Sequence, residues 1–124
     1  MTAFLLMLAG VGALATPLPP VAKAEVSALL AKLERSGCKF NRNGSWYTSQ
    51  EARAHLQGKL DYVERKAQAT TAEAFIELAA TSSSVSGKAF LVQCPGEPPV
   101  PSATWLAGQL AAIRQQSGAV PRIP

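Results

Sequence analysis

The sequence predicts a small α+β domain, in which a three-stranded antiparallel sheet packs with about four helices and one disulfide pins the fold. Three observations predict it. Four segments carry apolar residues at helical spacing. Two short segments alternate in the period of a strand, and Asn43-Gly44 splits the first of them into a hairpin. Two cysteines, Cys38 and Cys94, stand at the ends of those strand segments.

The first 20 of the 124 residues are apolar and uncharged. Phe4 to Ala15 reads as the hydrophobic region of an export leader, and Ala22-Lys23-Ala24 offers small residues at the two positions a signal peptidase reads. Residues 1–24 are therefore expected to be a signal peptide cut after Ala24, although Met1-Thr2-Ala3 carries no basic residue. Pro17, Pro19 and Pro20 break the run before the ~20 apolar residues of a membrane span. The alternative is a buried helix at the N-terminus. Residues 25–117 form the expected domain, and 118–124 a frayed tail.

From Glu25 to Ser36, Val26, Leu29, Leu30 and Leu33 make one apolar helical face, and Gly37 stands where a left-handed cap is wanted. Cys38 to Thr48 reads as the hairpin, with Phe40 opposite Tyr47 and Asn41 opposite Trp46. The second helix is expected from Ser49 to about Gln68, with Thr48 and Glu51 at capping-box spacing and Ala52, Leu56, Leu60, Val63 and Ala67 facing inward. Thr70 or Thr71 caps a third helix ending near Thr81, with Glu73 placed to complete a box for Thr70, and with Phe75, Ile76 and Ala79 inward. The polar run Ser82 to Gly87 then turns the chain into a strand from Ala89 to Cys94. Pro95 to Pro101 is expected to be a linker, and Ser102 to cap a last helix carrying Trp105, Leu106, Leu110 and Ile113.

Strand alternation puts Cys38 on the side of Phe40, and Cys94 on the side of Phe90 and Val92. In an oxidising compartment the two cysteines should pair, constraining the unfolded chain by roughly 4 kcal/mol. Two free thiols are the alternative for a chain kept in the cytosol.

Several spaced motifs have a familiar look: Phe40-Asn41-Arg42-Asn43-Gly44-Ser45-Trp46-Tyr47, Glu51-Ala52-Arg53-Ala54-His55-Leu56 with Lys59, Glu73-Ala74-Phe75-Ile76, Ser82 to Lys88, and Trp105-Leu106. Together they resemble a bacterial family of small exported proteins, numbered 5329 among the domains of unknown function. The resemblance runs from about Leu29 to Ile113, and Asn41 departs from it where an apolar residue is expected. It implies a periplasmic address and supplies no activity, ligand or catalytic residue.

The net charge of +4, with no Lys/Arg cluster beyond pairs, does not mark a nucleic-acid binder. One histidine, with both cysteines spent on a disulfide, is too few ligands for a metal centre, and no cofactor is expected. His55, Lys59 and Tyr62 share one flank of the second helix and could line a groove. Arg42, Asn43 and Trp46 surround the hairpin tip; with Phe40 and Tyr47 facing the core, Arg42 shares their side and Trp46 lies opposite. Those six residues are the binding candidates. The serines at 82–86 lack the surroundings of a nucleophile elbow or a phosphate loop, and suit a tight turn. The expectation is a non-catalytic periplasmic or secreted module, binding another envelope protein or a peptide, with no membrane segment after leader removal. The alternatives are a small hydrolase or transferase pairing His55 with a serine of that loop, and a structural envelope protein without a small ligand.

Overall fold

Val26, Leu29, Leu30 and Leu33 are the buried stripe of helix α1, Pro20–Arg35, in a computed structural model that describes residues 18–117. Of the leader reading for residues 1–24, residues 1–17 lie outside the described residues, as does the tail reading for 118–124; residues 20–24 are the opening of α1. Helix α1 starts at Pro20 rather than at Glu25. A proline suits the first helical position, because its fixed φ is helical and the N–H it lacks would have no partner there. The helix ends where Ser36 Oγ donates to Leu33 O, and Gly37, at φ +72°, turns the chain away.

Strands β1, Lys39–Arg42, and β2, Ser45–Tyr47, follow. Asn43 (φ 54°) and Gly44 (φ 87°) are both left-handed, as a two-residue primed turn requires, and the register is the expected one, Phe40 opposite Tyr47 and Asn41 opposite Trp46. Helix α2, Ser49–Arg65, opens with the complete Thr48/Glu51 capping box. Ser49 Oγ donates to Glu34 O at 3.0 Å and moors this opening turn to the end of α1.

Helix α2 stops sooner than its pattern suggests. Ala67 takes φ 53° beyond the helix end, exposed, and is not part of the apolar face. Its N–H donates to Glu64 O, and the N–H of Gln68 donates to Val63 O, the bond pattern of a Schellman cap with alanine in the glycine position. Helix α3, Ala72–Ala79, is capped by Thr71, whose Oγ1 accepts from the N–H of Ala74. The Thr70–Glu73 box does not form, because the cap is Thr71 and Glu73 is then the second helical residue, one short of the box position; its carboxylate bonds Arg114 instead.

Strand β3, Leu91–Gln93, pairs with β1. The sheet has four strands rather than three, in the order β2-β1-β3-β4. The fourth, β4 (Val100–Pro101), comes from the end of the proline-rich linker. A proline cannot donate to a ladder, so it is tolerated only where one side needs no partner, as on this edge. Helix α4, Ser102–Gln116, has Pro101 rather than Ser102 at its N-cap position and no side-chain cap bond. Ser102 is instead the first helical residue, buried, with its N–H donating to Phe90 O at 2.8 Å.

The helices cover the sheet face that carries Phe40 and Val92, and Trp105 of α4 stands edge-on to Phe40 at 5.9 Å between ring centres. Cys38 and Cys94 are bonded, one residue beyond the Lys39–Gln93 pair that closes the β1–β3 ladder. The expected pairing of the cysteines is thus the one the fold contains. No helix among the described residues is long and apolar enough to cross a membrane.

Candidate functional site

Strand alternation sets Phe40 and Arg42 on the covered face of β1, with Tyr47 beside Phe40 on β2. The β1–β3 register, extended by one step, brings Phe90 beside Arg42. The first turns of α2 lay Ala52, His55 and Leu56 over this corner. Between them lies a hollow of about 200 Å³ with mainly apolar walls, where Phe40, Tyr47, Leu56 and Phe90 meet Arg42, Glu51, His55 and Ser102.

The polar groups are few and unevenly satisfied. His55 meets Phe90 edge-on at 6.3 Å, and its buried Nε2 has no hydrogen-bond partner. Lys59, one turn along α2, sets its ammonium 4.8 Å from the centre of the Phe90 ring. Arg42 lies 5.3 Å from the centre of the Tyr47 ring. The Glu51 carboxylate accepts from the N–H of Thr48 in the helix cap. Among the described residues no acid pairs with Arg42 or Lys59; the ion pairs are Lys23–Glu64, Arg53–Glu34 and Arg114 with Glu25 and Glu73.

This placement fixes the local charges. Burial holds the His55 pKa below its ordinary value, and the charges of Arg42 and then Lys59 lower it further. The Lys59 pKa is lowered as well, by burial first and by Arg42 second. The walls of the hollow thus include a neutral imidazole, whose Nε2 is buried without a partner, and a guanidinium that no acid among the described residues pairs, in apolar surroundings. Such a set can hold an anion or orient a polar group.

Of the six candidates read from the sequence, Arg42 and His55 come together here, and Lys59 joins them through Phe90. Tyr62 lies a turn further on, half exposed, and together with His55, Lys59 and Leu78 it lines a second, shallow groove, as the shared helix flank suggested; Arg65 and Lys66 are each 5.8 Å from its ring centre. Asn43 is taken up by the fold: its Nδ2 donates to Ser83 Oγ, and its Oδ1 accepts from Ser86 Oγ. Trp46 is 43 % exposed on the opposite sheet face and does not reach the hollow.

The serine loop is bound into itself. Ser83 is buried, and its Oγ accepts from the N–H groups of Val85 and Ser86 as well as from Asn43. Among the described residues no hydrogen bond joins His55 to this loop, and no group of three or more His, Cys, Asp or Glu stands close enough to hold a metal ion.

Sequence reasoning missed Phe90 and Ser102 as walls of the hollow. A signal for Phe90 was present: cysteines directly opposite one another in an antiparallel pair set Phe40 against Val92, and so Arg42 against Phe90.

A family model described as "Family of unknown function (DUF5329)" matches residues 20–114, which cover every helix and strand described above but for the last two residues of α4. The chain belongs to this family. The matched span of the DUF5329 domain opens at the first residue of α1 and closes near the end of α4, so the hollow lies wholly inside it. No curated protein and no solved structure matches the chain.

Proposed function

We propose that this DUF5329 domain is an exported, periplasmic or secreted binding module without catalytic activity, and that its ligand is a small apolar group bearing a negative charge, such as an aryl or short acyl carboxylate. The observation that carries the reading is the pairing, in one apolar hollow, of the unpaired Arg42 guanidinium with the orphaned His55 Nε2. A carboxylate bonded to Arg42 would supply the missing counter-ion, and a turn of the His55 ring would bring its buried Nε2–H to the same group, while the apolar part of the ligand displaces water from Phe40, Leu56 and Phe90. The disulfide supports the exported address, since such bonds persist outside the reducing cytosol. The enzymatic alternative, His55 with a serine of the 82–86 loop, has less behind it: Ser83 Oγ is taken up by the turn it builds, and Ser84 lines a shallow groove with His55 but no hydrogen bond joins the two among the described residues.

The test is an NMR titration of ¹⁵N-labelled protein with phenylacetate and, separately, with its neutral amide. Phenylacetate is expected to shift the resonances of Arg42, Tyr47, His55 and Phe90. The amide should bind at least about tenfold more weakly, which is the worth of one charge-assisted hydrogen bond. Equal binding of the two, or shifts confined to residues outside the hollow, overturns the reading.

A second reading rests on Trp46, which stands exposed on the sheet face the helices leave open. There the module would dock an envelope protein or a peptide. Trp46→Ala would then abolish partner capture while leaving the carboxylate titration unchanged.

A further inference from the structure

We infer that the leader is removed after Ala15, at Ala13-Leu14-Ala15, so that the mature chain begins at Thr16 and not at Glu25. This rests on the reading of the chain as exported. A signal peptidase needs small residues at the two sites it reads, directly after an apolar stretch of roughly 7–15 residues. Phe4 to Gly12 is such a stretch, and Ala13 and Ala15 follow it at once. Ala22-Lys23-Ala24 has the same spacing but lies beyond Pro17, Pro19 and Pro20, well past the end of the apolar run.

The folded domain decides between the two. Leu18 and Ala22 are each only 5 % exposed and belong to the same core as Val26 and Leu29. The N–H of Lys23 donates to Pro19 O at 2.8 Å, closing the first turn of α1. Its ammonium bonds both carboxylate oxygens of Glu64 on α2, at 2.8 and 2.9 Å. A cut after Ala24 would sever α1 inside its second turn and strip Leu18 and Ala22 from the core. It would leave Glu64 without its cation and remove the opening residues of the span matched by the family model. A cut after Ala15 leaves all of these in place.

The experiment expresses the full chain in a Gram-negative host and determines the N-terminus and intact mass of the protein recovered from the periplasm. Thr16 as first residue supports the inference. Glu25 overturns it and leaves export standing, whereas an uncut chain in the cytoplasm overturns both. Two variants sharpen the result: Ala15→Tyr should accumulate uncut precursor, and Ala24→Tyr, at an exposed helix position, should be processed normally. The reverse pattern refutes it. Independently of export, purified chains starting at Thr16 and at Glu25 can be melted side by side. The shorter chain should melt at least about 5 °C lower, and equal melting temperatures would remove the structural ground.

Discussion

His55 shows how a single side chain joins the hollow to the stability of the domain. It faces Arg42 from the sheet and Lys59 on its own helix, with Glu51 one turn away and held in the cap. Its folded-state pKa lies below the ordinary 6.5, so as the pH falls the unfolded chain takes up the proton first. The stability associated with the neutral imidazole is complete above about pH 6.5 and is lost as the pH falls from there through the folded-state pKa. Urea midpoints measured at about pH 7.5 and pH 5.5 should therefore differ, and His55→Gln should narrow the difference. A midpoint gap unchanged by His55→Gln would show that other groups cause it. Arg42→Gln removes the second cause of the shift and leaves the largest, burial. The imidazole signals in a ¹H–¹³C titration should then give a pKa raised toward 6.5 but still below it.

At the scale of one element, α2 shows which parts of the fold are legible and which are not. Its start is written locally, because Thr48 and Glu51 need only each other and the adjacent N–H groups. Thr48→Ala is expected to cost about 1 kcal/mol in chemical denaturation. Its end is hidden, because the residue in the left-handed cap is Ala67, and an alanine there looks like continuing helix. An L-residue with a Cβ pays roughly 1–2 kcal/mol in that conformation, which glycine avoids. Ala67→Gly should thus stabilise the domain by about 1 kcal/mol, although glycine within a helix would do the opposite. A loss of stability in urea denaturation would show that the cap had given way to another conformation. Strand β4 was hidden for a related reason: two residues, one of them proline, carry no alternation, and their pairing depends on β3 lying alongside.

For the whole molecule, the legible part was the set of amphipathic segments, the hairpin register and the sulfur bridge. The convergence of the site was not. Arg42 and His55 could each be singled out, but only the packing of α2 over the hairpin brings them to one hollow. The disulfide carries that arrangement, since it sits at the end of the β1–β3 ladder whose register sets Arg42 beside Phe90. It spans 56 residues of chain, and removing it should release about 4 kcal/mol of unfolded-state constraint. Domains of this size are stable by only about 5–15 kcal/mol, so the loss would be a large share of the total. Cys38→Ala with Cys94→Ala, followed by urea denaturation, is expected to lower the unfolding free energy by that amount. Because β2 holds its own register through the Asn43-Gly44 turn, amide exchange should quicken more across the β1–β3 pairs than within the hairpin. Exchange that quickens equally on both sides of β1 would mean that the bridge lends stability to the domain as a whole and does not hold the register on which the hollow depends.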